Sequence, residues 1–479
     1  MSEKNVVAVD LGATSGRVIV GRVTPRSIRL TQTARFANNP VTVWEGANLG
    51  MHWNILELYR SVGEGLREAF RGRKIESIGV DSWAVDYGRL RNGVLRGIPY
   101  HYRDPRTTAG VAATHSIRSH AELYAVNGLQ FLPFNTLYQL SADRIAGNLS
   151  SADSILLIPD LINYWLTGVR RTEVTNASTT GLLDIATRQW SDDLFNVFDV
   201  PRLLLPQLIS PGQRVGTLLE PVAHTLNAPS QTPVVSVGSH DTASAIVAVP
   251  SVDRDIAYIS SGTWSLVGFE LDAPVLTEAS RRANFTNEAG VDGRVRYLRN
   301  VMGMWLISEC LREWEAAGHP EDLVSLLGEA TELSHGSIFD VNHDDLLPEG
   351  PMTSRIARLC AEADQPVPQT PAEFVRTIMQ SLAETYSHYI RLGAELSSSK
   401  VNTIHIVGGG SQNALLCQLT ADRTGVPVIA GPVEATALGN VLVQARTADV
   451  IWGDLESLRA LVISSTSQIR YTPRTASRG

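Results

Sequence analysis

The chain has 479 residues, 43% of them hydrophobic, so it can bury more than one core, and a prior of about 150 residues per domain allows two or three domains. A net charge of -8 without any Lys/Arg-rich run argues against nucleic acid or an anionic membrane as a partner and favours a small soluble substrate. Cys310, Cys360 and Cys417 are too widely spaced for a disulfide framework or a local zinc site; with no apolar run near ~18 residues and no secretory leader in Met1 to Asp10, a cytoplasmic protein is expected.

The first predicted element is a strand, Val6 to Asp10, that turns through Leu11-Gly12-Ala13-Thr14-Ser15-Gly16-Arg17 and becomes a strand again to Val20. β-Branched residues favour extended backbone, Gly12 and Gly16 expose amides in the turn, and Thr14, Ser15 and Arg17 add donors suited to phosphate. Asp10, at the strand's end, is placed to hold a water or a magnesium ion beside such phosphates. The same residue types also make an ordinary hairpin turn. Thr24-Pro25-Arg26-Ser27 closes a further hairpin into Ile28 to Phe36. Asn54 is the expected cap of a helix through Ile55, Leu58, Val62, Leu66 and Phe70, ended by Gly72.

Ile75 to Asp81 reads as a buried strand leading into Asp81-Ser82-Trp83-Ala84-Val85-Asp86, at the carboxyl end where open α/β sheets place ligands. Phe131 to Leu140 mixes aromatic and polar groups and suits either a sugar pocket or ordinary core. Ser154 to Gly168 predicts a strand and then a helix, and Thr172 to Thr180 a polar, hydroxyl-rich loop. Val234 to Val249 predicts an apolar strand and then a small-residue helix, with His240 and Asp241 at the junction. Asp241 there either caps the helix or has a chemical role; His240 either orients a ligand or is a packed, satisfied histidine. A helix amino end is expected to lower the pKa of Asp241.

Ile256 to Phe269 repeats the opening design: a strand, the hydroxyl-rich turn Ser260-Ser261-Gly262-Thr263, and a strand. Pro371 to Leu396 is the longest predicted helix. Val401 to Val407 is a strand meeting Gly408-Gly409-Gly410, either a tight turn or a surface on which a nucleotide lies against bare backbone. Val426 to Ala430 predicts a short strand and Glu434 to Val441 a helix; the tail from Ser465 to Gly479 is expected to be loose. Two similar turns about half a chain apart resemble the actin, sugar kinase and heat-shock chaperone group of ATPases.

Assembled, these motifs resemble the FGGY family of carbohydrate kinases over nearly the whole chain. The resemblance is carried by Val9 to Arg17, Gly79 to Trp83, Phe131 to Leu140, Ser239 to Ala245, Ser260 to Ser265, Asn300 to Gly303, and Ile406 to Gln412 with Ala430 to Ala435. It implies an α/β fold of two actin-like, ribonuclease H-like lobes, 1–245 and 246–479. Each lobe is a mixed sheet flanked by helices, with the active site in the cleft between them. It further implies ATP contacts at Ala13, Thr14, Ser15, Gly16, Arg17, Thr263, Asn300, Ser308 and Gly409, sugar contacts at Ala84, His240, Asp241 and Thr242, and Asp241 as catalytic base. Ala84 stands where the family usually has glycine, and Ser308 where glutamine contacts the nucleotide. By the Trp83, Phe131 and His240 segments the chain most resembles the branch that phosphorylates L-rhamnulose at its 1-hydroxyl with ATP and Mg2+; separately, a monomer is expected. The rivals are a kinase of L-fuculose or L-xylulose, an actin-like ATPase controlling protein binding, and a catalytically silent sugar-binding regulator.

Overall fold

A computed structural model describes residues 3–474, and its contacts divide them into two units, one of 3–252, 270–297 and 435–465, the other of 253–269, 298–434 and 466–474. The first unit is built on a six-stranded mixed sheet. Its order runs Arg214–Thr217, Pro233–Val235, Ile75–Ser82, Lys4–Leu11, Ser15–Thr24 and Ser27–Ala37. The three strands in the middle of the chain of pairings, Pro233–Val235, Ile75–Ser82 and Lys4–Leu11, are parallel, and antiparallel strands flank them. Val6, Val7, Ala8 and Val9 are buried without interruption because both sheet faces are covered, so this strand shows no polar alternation. The helix Ile55–Phe70 follows the predicted apolar stripe. Asn54 occupies its N-cap position, yet its side chain makes no capping bond.

The second unit repeats the plan. Ile256–Ser261 pairs antiparallel with Trp264–Leu271 and parallel with Thr403–Val407, which continues parallel to Val428–Ala430. The helix Pro371–Ser397 starts with proline inside a capping box of Thr370 and Glu373 and buries Phe374, Ile378, Leu382 and Tyr386. The tail differs from expectation. Ile469–Tyr471 pairs antiparallel with Val428–Ala430, because that strand's outer edge offers unpaired amides and carbonyls; only the last residues of the expected loose tail, 475–479, lie outside the described part.

A second difference concerns Thr172 to Thr180. Instead of a loop, Thr172–Glu173 is a short strand and Val174–Ala177 a helical turn, and the segment is largely buried. Its polarity is reconciled with burial locally: Ser178, Thr179 and Thr180 donate their hydroxyls to the carbonyls of Thr175, Asn176 and Ala177. Among the described residues no helix is long and apolar enough to cross a membrane, and all three cysteines are buried and unpaired.

Candidate active site

In the first unit, register alone gathers the acidic residues. Asp10 lies opposite Arg17 in the antiparallel pairing and opposite Asp81 in the parallel one. Arg17 Nη2 is 2.9 Å from Asp10 Oδ2. Ser82 bridges to His240, and its amide donates to the Ser239 carbonyl at 2.9 Å, so Asp241 begins its helix beside the same carboxyl ends. The turn between the first two strands is held by the Gly12 amide donating to the Ser15 carbonyl and by the Asn38 side chain donating to the Gly12 carbonyl. Ala13 and Thr14 keep their amides without a protein acceptor among the described residues, which leaves them for an anion.

Asp81 is buried, and burial, then the charge of Asp10, and also that of Asp241 push its carboxyl well above the usual range. Asn440 opposes this by donating to Asp81 Oδ2, while Asp81 Oδ1 is buried without a hydrogen-bond partner among the described residues. An orphaned carboxylate oxygen beside a second carboxylate fits a hard divalent cation that retains several of its waters. Asp10 and Asp81 are the residues that would hold it.

Asp241 is the first residue of the helix Asp241–Val247, after His240 at the N-cap, so it does not cap the helix. Its Oδ1 accepts from the Thr242 amide at 2.5 Å and the Thr242 hydroxyl at 3.1 Å, and His240 Nε2 lies 3.5 Å away from the same oxygen. Oδ2 has no protein donor among the described residues, and 27% of the side chain is open to solvent. The expected lowering of its pKa is not found. The mass of protein around it pushes the carboxyl up, against the electrostatic pull of the neighbouring His240, the Thr242 bonds and the charge of Arg296. That makes Asp241 a better proton acceptor than a helix-end aspartate in water.

The turn carrying His240 and Asp241 is clamped from below by Glu173, a residue that local sequence did not single out. Its Oε2 accepts from the Ser239 amide at 3.0 Å and the Ser239 hydroxyl at 2.8 Å, and its Oε1 from the Thr175 amide at 2.8 Å. Thr175 Oγ1, itself bonded to Glu173, accepts from the His240 amide at 3.3 Å. Burial raises the Glu173 pKa while these donors lower it. Beneath it, burial and then the Glu173 charge push Asp160 well up. Glu173→Gln removes the charge that these donors serve and puts an amide where an acceptor is needed. It is expected to cut kcat about 10- to 100-fold with the KM for ATP changed less than about twofold, because a displaced reacting group costs rate more than binding. Steady-state kinetics on a variant with unaltered circular dichroism checks this; an unchanged kcat would refute the clamp.

Ala84 is half-buried, and the next residue, Val85, has φ 68, a left-handed conformation rare for a β-branched side chain. The strain is held by Asp86, buried, which accepts from the indoles of Trp53 at 2.6 Å and Trp83 at 3.1 Å, the Gln139 side chain at 2.7 Å and the Tyr102 amide at 3.1 Å. Burial pushes its carboxyl up to about 7 despite those donors. The rings of Trp53, Trp83, His101 and Tyr102 pack against one another around this carboxylate, His101 on Tyr102 stacked and the Trp53 pairs tilted. Phe134 is half-buried against Tyr102, whereas Leu137 is plain core.

In the second unit, the Gly303 and Trp305 amides donate to the Thr263 carbonyl at 3.2 Å each, fastening the hydroxyl-rich turn to the helix Trp305–Ala316. Thr263 and Asn300 are half-buried. Ser308 is exposed and donates its hydroxyl to the Met304 carbonyl at 3.0 Å. Gly408 has φ 84, and a Cβ at Gly410 would lie 2.0 Å from Ser261 Oγ. Gly409, by contrast, faces open space, with nothing within 4 Å of where a Cβ would be. The structure thus brings Asp10, Arg17, Asp81, His240, Asp241 and Thr242 onto one sheet end of the first unit, with Thr263, Asn300, Ser308 and Gly409 in the second.

Comparison with known proteins agrees with this geometry. The FGGY family of carbohydrate kinases matches through its N-terminal domain at residues 5–248 and its C-terminal domain at residues 257–448. A rhamnulokinase of Bacteroides thetaiotaomicron is 40% identical over 98% of this chain and 96% of its own. One of Pectobacterium atrosepticum is 41% identical over 100% and 95%. Among solved structures, a gluconate kinase from Lactobacillus acidophilus superposes with a TM-score of 0.80 at 16% identity, covering 99% of this chain and 94% of that one, a likeness of fold. With two mixed α/β sheets of matching plan and both family domains in place, the chain belongs to the FGGY family of carbohydrate kinases.

Proposed function

We propose that this kinase transfers the γ-phosphoryl group of ATP to the 1-hydroxyl of L-rhamnulose, giving L-rhamnulose 1-phosphate and ADP. The observation that carries the chemistry is Asp241: all its protein contacts fall on Oδ1, its pKa is raised, and Oδ2 is left for a substrate hydroxyl. The choice of sugar is supported by the full-length identity with rhamnulokinases.

In this reading residues 1–245 take the sugar and the phosphates and 246–479 the nucleotide. Ala13 to Arg17 cradle phosphate oxygens with backbone amides and the Arg17 guanidinium. Thr263, Asn300, Ser308 and Gly409 contact ATP, Gly409 through bare backbone. Ala84, His240 and Thr242 orient the ketose, and Oδ2 of Asp241 takes the proton of the attacking hydroxyl as the phosphorus–oxygen bond forms in line. Asp10 and Asp81 would hold a magnesium ion, which would supply charge neutralisation to the triphosphate. The enzyme works in the cytoplasm as a monomer.

A coupled assay with ATP, magnesium and a panel of ketoses tests the proposal. ADP release is expected to depend on L-rhamnulose. Preference for L-fuculose or L-xylulose would move the substrate within the family, and sugar-free hydrolysis nearly as fast as transfer would point to an ATPase in place of a kinase.

A further inference from the structure

His240 touches Asp241, and what lies on the far side of its ring decides what it can do there. Arg296, 0% exposed, is the second residue of the strand Val295–Met302, and Glu288 lies on the strand Thr286–Ala289. Arg296 Nε donates to the Ala289 carbonyl at 3.1 Å, and its Nη2 lies 3.1 Å from His240 Nδ1 and 2.9 Å from Glu288 Oε2. Glu288 Oε2 is also 3.2 Å from His240 Nδ1. One ring nitrogen therefore faces both a guanidinium and a carboxylate.

The two neighbours ask opposite things of that nitrogen. A guanidinium has only donors and does not lose its proton, so an Nδ1 that receives it presents a lone pair, and the neutral ring then carries its hydrogen on Nε2. A carboxylate would instead draw a hydrogen onto Nδ1 and leave a lone pair on Nε2. Nε2 lies 3.5 Å from Asp241 Oδ1, so the first tautomer aims a donor at the carboxylate and the second aims one lone pair at another. Hydrogen-bond geometry is met by the Arg296 contact, whereas Glu288 Oε2, 3.2 Å from the same nitrogen, lies off the direction of a ring N–H and serves as counter-ion to the guanidinium. The paired carboxylate matters because a fully buried guanidinium without one is costly.

We propose that Arg296, balanced by Glu288, is a positioning residue that holds His240 with its hydrogen on Nε2, so that the histidine donates to Oδ1 of Asp241 and leaves Oδ2 as the oxygen that meets the sugar hydroxyl. This rests on Asp241 being the proton acceptor. It adds to that role a reason why one oxygen of the carboxylate is used and not the other: Thr242 and His240 together occupy Oδ1. The 3.5 Å contact is the kind that tightens when substrate closes on the site.

The test reads the tautomer directly. In protein labelled with nitrogen-15 histidine, two-bond proton–nitrogen correlation distinguishes a protonated from an unprotonated ring nitrogen, and the His240→Gln variant identifies the signals. The expected result is an unprotonated Nδ1 and a protonated Nε2 in the unaltered protein. Arg296→Met is expected to move the hydrogen to Nδ1, facing Glu288, and to lower kcat about 10- to 100-fold with the KM for ATP changed less than about twofold; Arg296→Lys, still a donor, should keep the tautomer and most of the rate. A hydrogen on Nδ1 in the unaltered protein overturns the proposal even if Arg296→Met fails to fold, and so does a folded Arg296→Met with unchanged tautomer and kcat. Absence of L-rhamnulose turnover alongside the expected tautomer would reject the substrate assignment and leave the Arg296 arrangement standing.

Discussion

Replacing Asp241 by asparagine is expected to lower kcat by about 10²–10⁴-fold, roughly 3–5 kcal/mol of barrier, with ATP binding little altered. The amide keeps the shape of the side chain, and its oxygen can still accept from Thr242 and face His240, so the helix Asp241–Val247 has no reason to unfold. What it loses is the lone pair at Oδ2 that takes the hydroxyl proton. Because burial raises this carboxyl, it is a stronger base than an aspartate in water, and its removal forfeits that advantage as well. Pre-steady-state measurement of the phosphoryl-transfer step, together with nucleotide titration, separates the two effects. A variant that transfers phosphate at the original rate would place the base elsewhere.

The second large effect is expected far from Asp241 in the chain. Gly439 lies in the helix Ala435–Thr447, and a Cβ there would come 1.8 Å from the Ser244 carbonyl oxygen and 2.6 Å from its carbon. No rotamer change relieves this, because the obstacle is backbone. Gly439→Ala must therefore force apart the Ser244 helix, which is the helix that Asp241 begins. Overpacking of this kind costs about 1–3 kcal/mol or more, and moving the proton acceptor by a fraction of an ångström is expected to reduce kcat at least about 10-fold. The same shift disturbs Asn440, whose side chain donates to Asp81 and to the Gly79 carbonyl at 3.2 Å, and Gln444, which donates to the Val7 carbonyl at 3.0 Å. Thermal unfolding and kinetics on one preparation check both effects. A Tm equal to that of the unaltered protein would mean that the two helices do not meet as closely as described.

Much of the frame was legible in residue order. The strand Lys4–Leu11 with its turn, the hairpin into Ser27–Ala37, the helix Pro371–Ser397, and the strand before Gly408 all form where periodicity, caps and glycines place them. Each depends on neighbours within a few residues. The hydroxyl-rich segment after Thr172 misled because polarity was read as exposure; its hydroxyls are satisfied by their own backbone, which lets the segment sink into the core. Ile469–Tyr471 has no signal in the sequence because three residues carry no periodicity, and only the open edge of Val428–Ala430 makes them a strand.

Sequence by itself determined the main strands and helices of both sheets, that two similar turns recur, and that Asp10, Asp81 and Asp241 each end or follow an apolar strand. Tertiary structure decided how those carboxyls behave. Glu173, Glu288, Arg296 and Asn440 carry no local signature, and they reach the site only when distant strands and helices pack. The direction in which Asp241 titrates was decided the same way: a helix end lowers a carboxyl's pKa by an interaction visible in local sequence, while the opposing push comes from the protein mass that surrounds it, contributed by the whole fold.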